Sequence, residues 1–416
     1  LFVDDLRAAH PAKPWLLWFA PGACHAPHQV PAAWSDRYRG RFDDGWDAWR
    51  ERVFARQVAE GIVPAHTRLS ERPHWVPAWD SLGADERRLY ARMMEVYAGF
   101  LTHTDAQVGR LVAHLERTGE LDRTIVVVMS DNGASAEGGP QGSFNEVFYF
   151  NFVPERLEEN LRRIDQLGTP EAHNHYPWGW AWAGNTPFRR WKRETHEGGV
   201  TDPLIVHWPG HIADPGAVRH QYVHAVDLMP SLLEAIGVEA PAEIAGVAQT
   251  PIEGVSFAHT LRDAGAASRH VTQYYEMLGS RALYHDGWKA VVFHALPGPR
   301  ASYDGSDPDV PFDEEPWELY DLRADPSETT DLAASHPERL REMIELWWRE
   351  AERHQVLPLN HEPGRHGDTR HRRVRYEYRP GIGAIPAAMA PNLRNRSHRI
   401  IAEVRVGDAE IGRAHV

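Results

Sequence analysis

The sequence predicts an α/β fold followed by a smaller α+β portion, and three observations carry that expectation. Short continuous apolar runs alternate with longer segments whose apolar residues recur at i, i+3, i+4; the runs suit strands buried on both faces and the segments suit helices packed over them. Gly, Pro, Asn and Asp stand where these segments end, and those residues favour turns. Beyond about residue 265 the texture changes to short strands and a single helix.

Residues 15–20 form the first apolar run, a predicted buried strand, and lead into the loop Pro21-Gly22-Ala23-Cys24-His25-Ala26-Pro27-His28. Residues 47–60 read as a helix stopped by Gly61. The clearest helix follows. Leu89, Met93, Val96, Tyr97, Phe100, Leu101, Val108, Leu111, Val112 and Leu115 share one helical stripe, Asp85 and Glu86 suit the positive end of its dipole, and Gly119 closes it. Residues 124–129 are a predicted buried strand ending in Ser130-Asp131-Asn132-Gly133. An insertion rich in Gly, Asn and aromatics spans 134–183, helical over 153–167 and a loop over 173–180. Long loops over a strand end often shape a pocket, so its aromatic residues 144–182 are expected to wall one.

Residues 204–208 read as another buried strand and 227–236 as a short helix, with Pro230 early and Gly237 after its end. Such alternation suggests a sheet covered by helices on both faces. Further on, 270–276, 282–284 and 288–293 read as strands with a hairpin turn at Asp286-Gly287. An acidic loop covers 304–315, and Ser335-His336-Pro337-Glu338 reads as a capping box opening a helix over 338–353. Basic, irregular residues 364–379 read as a linker and 397–406 as one strand. The expected domains are a core over 1–264, an α+β subdomain over 265–360, and a linker with the start of a truncated β domain over 361–416.

Composition narrows the function. A chain of 416 residues can bury a large core. A net charge of −14 argues against nucleic acid as the partner. No apolar run approaches the ~20 residues of a membrane helix. Cys24 is the only cysteine, which excludes an intrachain disulfide and a thiolate metal cluster. It suits a reducing compartment, while the choice between cytoplasm and periplasm stays open, as does oligomeric state. The chain opens on Leu1 and is expected to be truncated at both ends, and its closing residues 410–416 resemble a translated sequencing adapter.

Three segments can carry chemistry. Asp131 and Asn132 place two hard oxygen ligands at a strand tip, as calcium or magnesium prefers; the same Asp-Asn-Gly run also reads as a turn. Lys192 offers a point charge to an anion just before Glu197-Gly198-Gly199-Val200, whose glycines would let backbone approach a ligand; a solvated basic turn is the alternative. His28 or His25 can donate to an oxyanion or protonate a leaving group, or be an ordinary loop histidine. Cys24 beside them is a poor nucleophile candidate, because sequence neighbours rarely face one another productively.

The order of these segments resembles the sulfatase family, and more narrowly bacterial arylsulfatases of the alkaline-phosphatase-like superfamily. The resemblance rests on Ala26-Pro27-His28, Gly119-Glu120-Leu121-Asp122-Arg123-Thr124, Ser130-Asp131-Asn132-Gly133, Lys192 with Glu197-Gly198-Gly199-Val200, and His207-Trp208-Pro209-Gly210. Val226-Asp227-Leu228-Met229-Pro230, Glu253-Gly254-Val255-Ser256 and Glu318-Leu319-Tyr320-Asp321-Leu322 continue it, so that it covers roughly residues 1–360. It implies a mixed sheet sandwiched by helices, with a smaller α+β subdomain. It implies Asp131 and Asn132 as ligands of one calcium ion, Lys192 as a sulfate-binding residue, and His28 as the residue that contacts sulfate and protonates the leaving oxygen, with His25 the alternative if the loop register is shifted. The implied substrate is a small sulfate ester, aryl or apolar.

The family's nucleophile, a Cys or Ser in a Cys/Ser-x-Pro-x-Arg motif converted to formylglycine, is expected upstream of residue 1, together with the acidic pair that completes the calcium site. Cys24 does not fit that motif, since Ala26 and His28 stand where Pro and Arg belong. The literal match Ser335-His336-Pro337-Glu338-Arg339 is accounted for by helix capping. The chain is therefore expected to lack turnover by itself and to bind metal weakly. A phosphonate or phosphate monoester hydrolase, and a non-catalytic binding protein on the same scaffold, are the competing readings.

Overall fold

The computed structural model describes residues 2–151, 153–296, 304–360, 375–378, 391, 393 and 397–402. A tryptophan has a large apolar area to bury, and the core assembles around several of them. Helix α1 (Gly45–Ala59) sets Trp46 edge-on to Trp79 and Trp180, with ring centroids 4.8 and 5.8 Å away. Trp180 belongs to helix α3 (Trp178–Gly184) and donates to the Tyr90 carbonyl at 3.0 Å. Residues 178–180 are thus helical rather than loop. Pro177 stands at the N-cap, and Gly179 serves to admit a neighbour: a Cβ there would lie 2.3 Å from the Trp46 ring.

Helix α2 (Ala84–Arg117) runs for 34 residues between them and ends before Gly119 as the sequence predicts. Its first half buries Leu89, Met93 and Val96, whereas Leu101 is half exposed. The predicted helix over 153–167 is shorter, Leu157–Arg162 followed by a 3₁₀ turn at Ile164–Gln166.

Strands β1 (Val126–Met129) and β2 (Leu204–His207) pair antiparallel, with Val126 opposite His207 and Met129 opposite Leu204. The expectation that both are buried is corrected: Val128, Met129 and Ile205 are 39, 41 and 60% exposed. A two-stranded ladder cannot cover its own faces. Residues 15–20 form no strand; without a ladder partner the run stays open, and Leu16 and Trp18 are largely exposed. Helix α5 (Leu228–Ile236) follows β2 and ends at Gly237, whose φ of 70° is left-handed. The one-turn helix α4 (Glu197–Val200) precedes β2.

The smaller sheet has four antiparallel strands in sequence order: β3 (Thr272–Met277), β4 (Ser280–His285), β5 (Trp288–Val292) and β6 (Glu318–Asp321). Asp286 and Gly287 make the β4–β5 turn with φ of 45° and 78°, the two positive values that a type I′ hairpin requires. Helix α6 (Pro337–Arg353) lays Met343, Trp347 and Ala351 against Leu283, Ala290 and Leu319. The predicted capping box does not form. His336 is the N-cap, and Ser335 Oγ instead bonds the Leu332 carbonyl and the His336 ring; Pro at the first helical position leaves one donor fewer to cap.

The first compact unit, Leu1–His361, includes both this sheet and the tryptophan core. The second unit is Glu362–Val416. Its described residues form neither helix nor strand, so 397–402 are not the predicted strand, and Ile400 and Ile401 are exposed; an isolated strand has nothing to pair with. Residues 364–374, 403–406 and 410–416 lie outside the described set. Among the described residues no helix is long and apolar enough to cross a membrane.

Candidate active site

Backbone hydrogen bonds bring the end of β1 and the Lys192 segment together. Gly133 N–H donates to the Gly199 carbonyl and Lys192 N–H to the Ala134 carbonyl, both at 3.1 Å. Asn185 accepts from Ala134 N–H at 2.8 Å and donates to the Arg190 carbonyl at 3.0 Å. Glycine is needed at this seam, because a Cβ on Gly133 would sit 1.8 Å from the Gly198 carbonyl oxygen. Cβ atoms on Gly198 and Gly199 would lie 2.2 and 2.0 Å from the carbonyls of Arg189 and Glu194. The predicted use of these two glycines is therefore corrected: they admit the chain's own backbone rather than a ligand.

The turn carrying Lys192 is held from both ends. Upstream, the buried Arg50 guanidinium donates to the carbonyls of Trp182, Pro187 and Phe188 at 2.8, 2.8 and 2.9 Å. Burial pushes Arg50 down to about 9. Arg190 and Arg193 adopt φ of 66° and 80°, a costly region for side-chain-bearing residues that tertiary contacts must enforce. Arg190 is fixed by Glu194 at 3.2 Å and Asp304 at 2.9 Å. Downstream, Glu328 of the small-sheet region accepts the Glu197 N–H at 2.9 Å, and buried Lys289 bridges Glu197 and Glu328.

Lys192 Nζ donates to Glu137 Oε2 at 2.9 Å and lies 3.1 Å from His25 Nε2. An ammonium has only donors, so Nε2 must accept; Nδ1, 2.8 Å from the Ala26 carbonyl, must then carry the proton. His25 is held here as the neutral Nδ1–H tautomer, with its side chain half exposed. His28 is placed differently. It is 1% exposed, its ring centroid lies 4.8–5.2 Å from those of His175, Tyr97 and Tyr176, and its Nδ1 has no hydrogen-bond partner. Burial, then the charges of His175 and His25, hold His28 well below the ordinary histidine range. Of the two candidate histidines, His25 meets Lys192 and His28 is a neutral core group. Cys24 is half buried beside Thr104, and burial raises its thiol.

Sequence reasoning missed Glu137. Its carboxylate takes Lys192, Arg193 and Ser135 Oγ. Burial pushes it up, but the Lys192 hydrogen bond and the two cationic charges outweigh that and leave it below its ordinary value. The available signal was that Glu137 is the one charged residue in 133–142.

Asp131 is exposed and Asn132 partly so, with Asn132 Nδ2 donating to the Gly133 carbonyl at 3.0 Å. Burial, then the Asp131 charge, pushes the nearby Asp202 carboxyl up to about 7. The Asp131 carboxylate at the strand end, with the Asn132 amide oxygen beside it, offers hard oxygen donors that fit a divalent cation. No group of three or more His, Cys, Asp or Glu side chains among the described residues is arranged for a metal, so Asp131 and Asn132 fit as part of a coordination sphere only.

Beside Lys192 opens a cleft of about 100 Å³ lined in part by Tyr149, Trp178, Trp191, Met277 and Phe293. The aromatic insertion supplies Tyr149 and Trp178 to this wall. The contribution of the small sheet, through Met277 and Phe293, is long-range and left no mark in the local sequence.

The chain is similar to known proteins. The sulfatase family model matches residues 2–238. An uncharacterized sulfatase of Schizosaccharomyces pombe is 28% identical over 83% of this chain and 59% of its own length. An arylsulfatase of Klebsiella aerogenes is 29% identical over 60% of this chain and 52% of its own. An N-acetylglucosamine-6-O-sulfatase of Bacteroides thetaiotaomicron is 26% identical over 62% and 35%. The chain thus spans little more than half the length of the first two relatives. Among solved structures, Ps i-CgsB in complex with k-i-k-neocarrahexaose superposes with a TM-score of 0.50 at 19% identity, covering 89% of this chain and 56% of that one.

Proposed function

This chain belongs to the sulfatase family, with the α/β, alkaline-phosphatase-like fold, and we propose that its Lys192 cluster binds the sulfate group of a sulfate monoester that the whole protein hydrolyses. The observation that carries this reading is the 3.1 Å approach of Lys192 Nζ to His25 Nε2. Two groups that can both donate to one anion, the second after taking up a proton, converge there from segments 167 residues apart. Lys192 would bind the sulfuryl oxygens. An oxyanion arriving between the pair draws the ammonium hydrogen from Nε2, which frees that nitrogen to be protonated and to donate to the leaving oxygen. The role expected of His28 passes to His25.

Asp131 and Asn132 would hold a calcium ion, which when bound supplies positive charge to the sulfuryl oxygens. The formylglycine nucleophile remains an expectation for upstream sequence. The cleft walled by Tyr149, Trp178, Trp191 and Met277 suits a flat, apolar leaving group, which supports an aryl sulfate over a long sulfated glycan.

The test is binding of phenylsulfonate, a non-hydrolysable monoanion, followed by NMR. Lys192→Ala and His25→Ala are expected to weaken it roughly tenfold each, the loss of one charge-assisted hydrogen bond. His28→Ala should leave binding within about twofold and instead lower stability by about 2 kcal/mol, as a core truncation does. In the full-length protein, His25→Ala should lower kcat/KM on an aryl sulfate about 10²-fold or more. Unchanged binding in both Lys192→Ala and His25→Ala refutes the assignment.

A further inference from the structure

Glu137 spends a buried carboxylate on the two cations that an anionic substrate would need. Lys192 donates to Oε2 at 2.9 Å, Arg193 closes on Oε1, and Ser135 supports Oε2 at 3.1 Å. We propose that Glu137 is a specificity-determining residue: it trims the Lys192–Arg193 pair to one net positive charge, so the site matches a monoanionic ester and discriminates against a dianionic one.

The charges that face the cluster support the count. Lys192 and Arg193 contribute two positive charges and Glu137 one negative. His25 is neutral in the arrangement its hydrogen bonds dictate, and His175 is buried, which pushes it down to about 4. Glu194 is taken up by Arg190 at 3.2 Å. Glu146 also faces the cluster; burial and then the Glu137 charge raise its carboxyl, and its own ion-pair partner is His173 at 3.9 Å. A sulfate monoester carries one negative charge at any pH the protein tolerates. A phosphate or phosphonate monoanion can lose a second proton, and phosphate esters do so near pH 6. Excess charge on the ligand, brought into a cleft that already contains a buried carboxylate, is repelled by Glu137, which among the described residues already pairs with both Lys192 and Arg193. This inference rests on the sulfate-binding reading of Lys192 and adds the residue that separates sulfate from phosphate esters.

The probes are phenylsulfonate and phenylphosphonate at pH 8.5, the same ring with one and two charges, titrated by calorimetry into the 416-residue chain. The wild type should bind the sulfonate at least as tightly as the phosphonate. Glu137→Gln keeps the shape and removes the charge. The affinity ratio should move toward phosphonate by on the order of tenfold, the size expected when one unit charge nearby is deleted between water-like and protein-like dielectric limits. Glu137→Gln with Arg193→Gln restores the count, and the ratio should return to within about threefold of wild type. A structural role for Glu137 would weaken both probes alike and would not be rescued by a second loss. Should Glu137→Gln fail to fold, Arg193→Gln alone, at a half-exposed side chain, must move the ratio the other way. An unchanged ratio in Glu137→Gln, a shift that persists in the double variant, or an unchanged ratio in Arg193→Gln overturns the proposal. Both probes bound with a ratio indifferent to Glu137 removes this inference alone; neither probe bound, or both indifferent to Lys192→Ala, removes the anion site with it.

Discussion

Lys289→Met should cost about 3–5 kcal/mol at pH 8, and the reason lies in where the charge sits. Lys289 is 1% exposed, and its Nζ lies 2.5 Å from Glu197 Oε1 and 3.0 Å from Glu328 Oε1. At an effective dielectric of ~20 those two contacts are worth roughly 12 kcal/mol before desolvation. Several kcal/mol of desolvation per ion offsets most of it, leaving the net loss typical of stranding a buried partner. The deficit must depend on pH. Burial pushes the Glu328 carboxyl up to about 7, against the pull of Lys289. Its folded value lies above the ordinary ~4.5, so the native state holds more protons than the unfolded state between those values, and stability falls as pH rises through that window. Without Lys289 the carboxyl moves higher still, so the fall steepens and extends upward. Urea unfolding at pH 5.5 and 8.0 checks this: the variant's deficit should be the larger at pH 8.0. A deficit under ~1 kcal/mol at pH 8.0, or equal deficits at both pH values, refutes the reasoning. The same variant should speed amide exchange at Gly198 and Gly199, because Glu328 also holds the Glu197 N–H that starts their turn.

Two further substitutions probe the frame around the site. Gly179→Ala brings a Cβ to 2.3 Å from the Trp46 ring and should destabilise by about 1–3 kcal/mol through overpacking, read as a lower denaturant midpoint at unchanged slope. Arg50→Leu strips donors from the carbonyls of Trp182, Pro187 and Phe188; it should cost about 3 kcal/mol or more and, by loosening the approach to Lys192, weaken phenylsulfonate binding in the fraction that remains folded.

What could be read from the sequence was what is decided locally. The stripe from Leu89 to Leu115, the Gly237 stop and the Asp286-Gly287 turn each depend on a few adjacent residues, and each is where it was predicted. The failures share the opposite property. Residues 15–20 and 124–129 look alike as apolar runs, but only the second finds a partner, in a segment some 80 residues on; burial of either is a matter of what else packs on the ladder. Pro177 and Gly179 look like loop residues until the Trp46 ring is placed against Gly179.

The two histidines make the same point within four residues. His25 and His28 carry identical chemistry on one loop, and no periodicity or spacing distinguishes them. The choice is made by residues 173–176, whose Asn174 carbonyl takes the His28 N–H and whose His175 and Tyr176 rings enclose its side chain, and by Lys192, which reaches His25 from beyond them. Motif order was enough to predict that a histidine and a lysine would converge. Which histidine meets Lys192, and which carboxylate pairs with it, are properties of the assembled cluster: Glu137 is legible as the one charged residue in 133–142, but its pairing appears only once Lys192 and Arg193 are seen to share it.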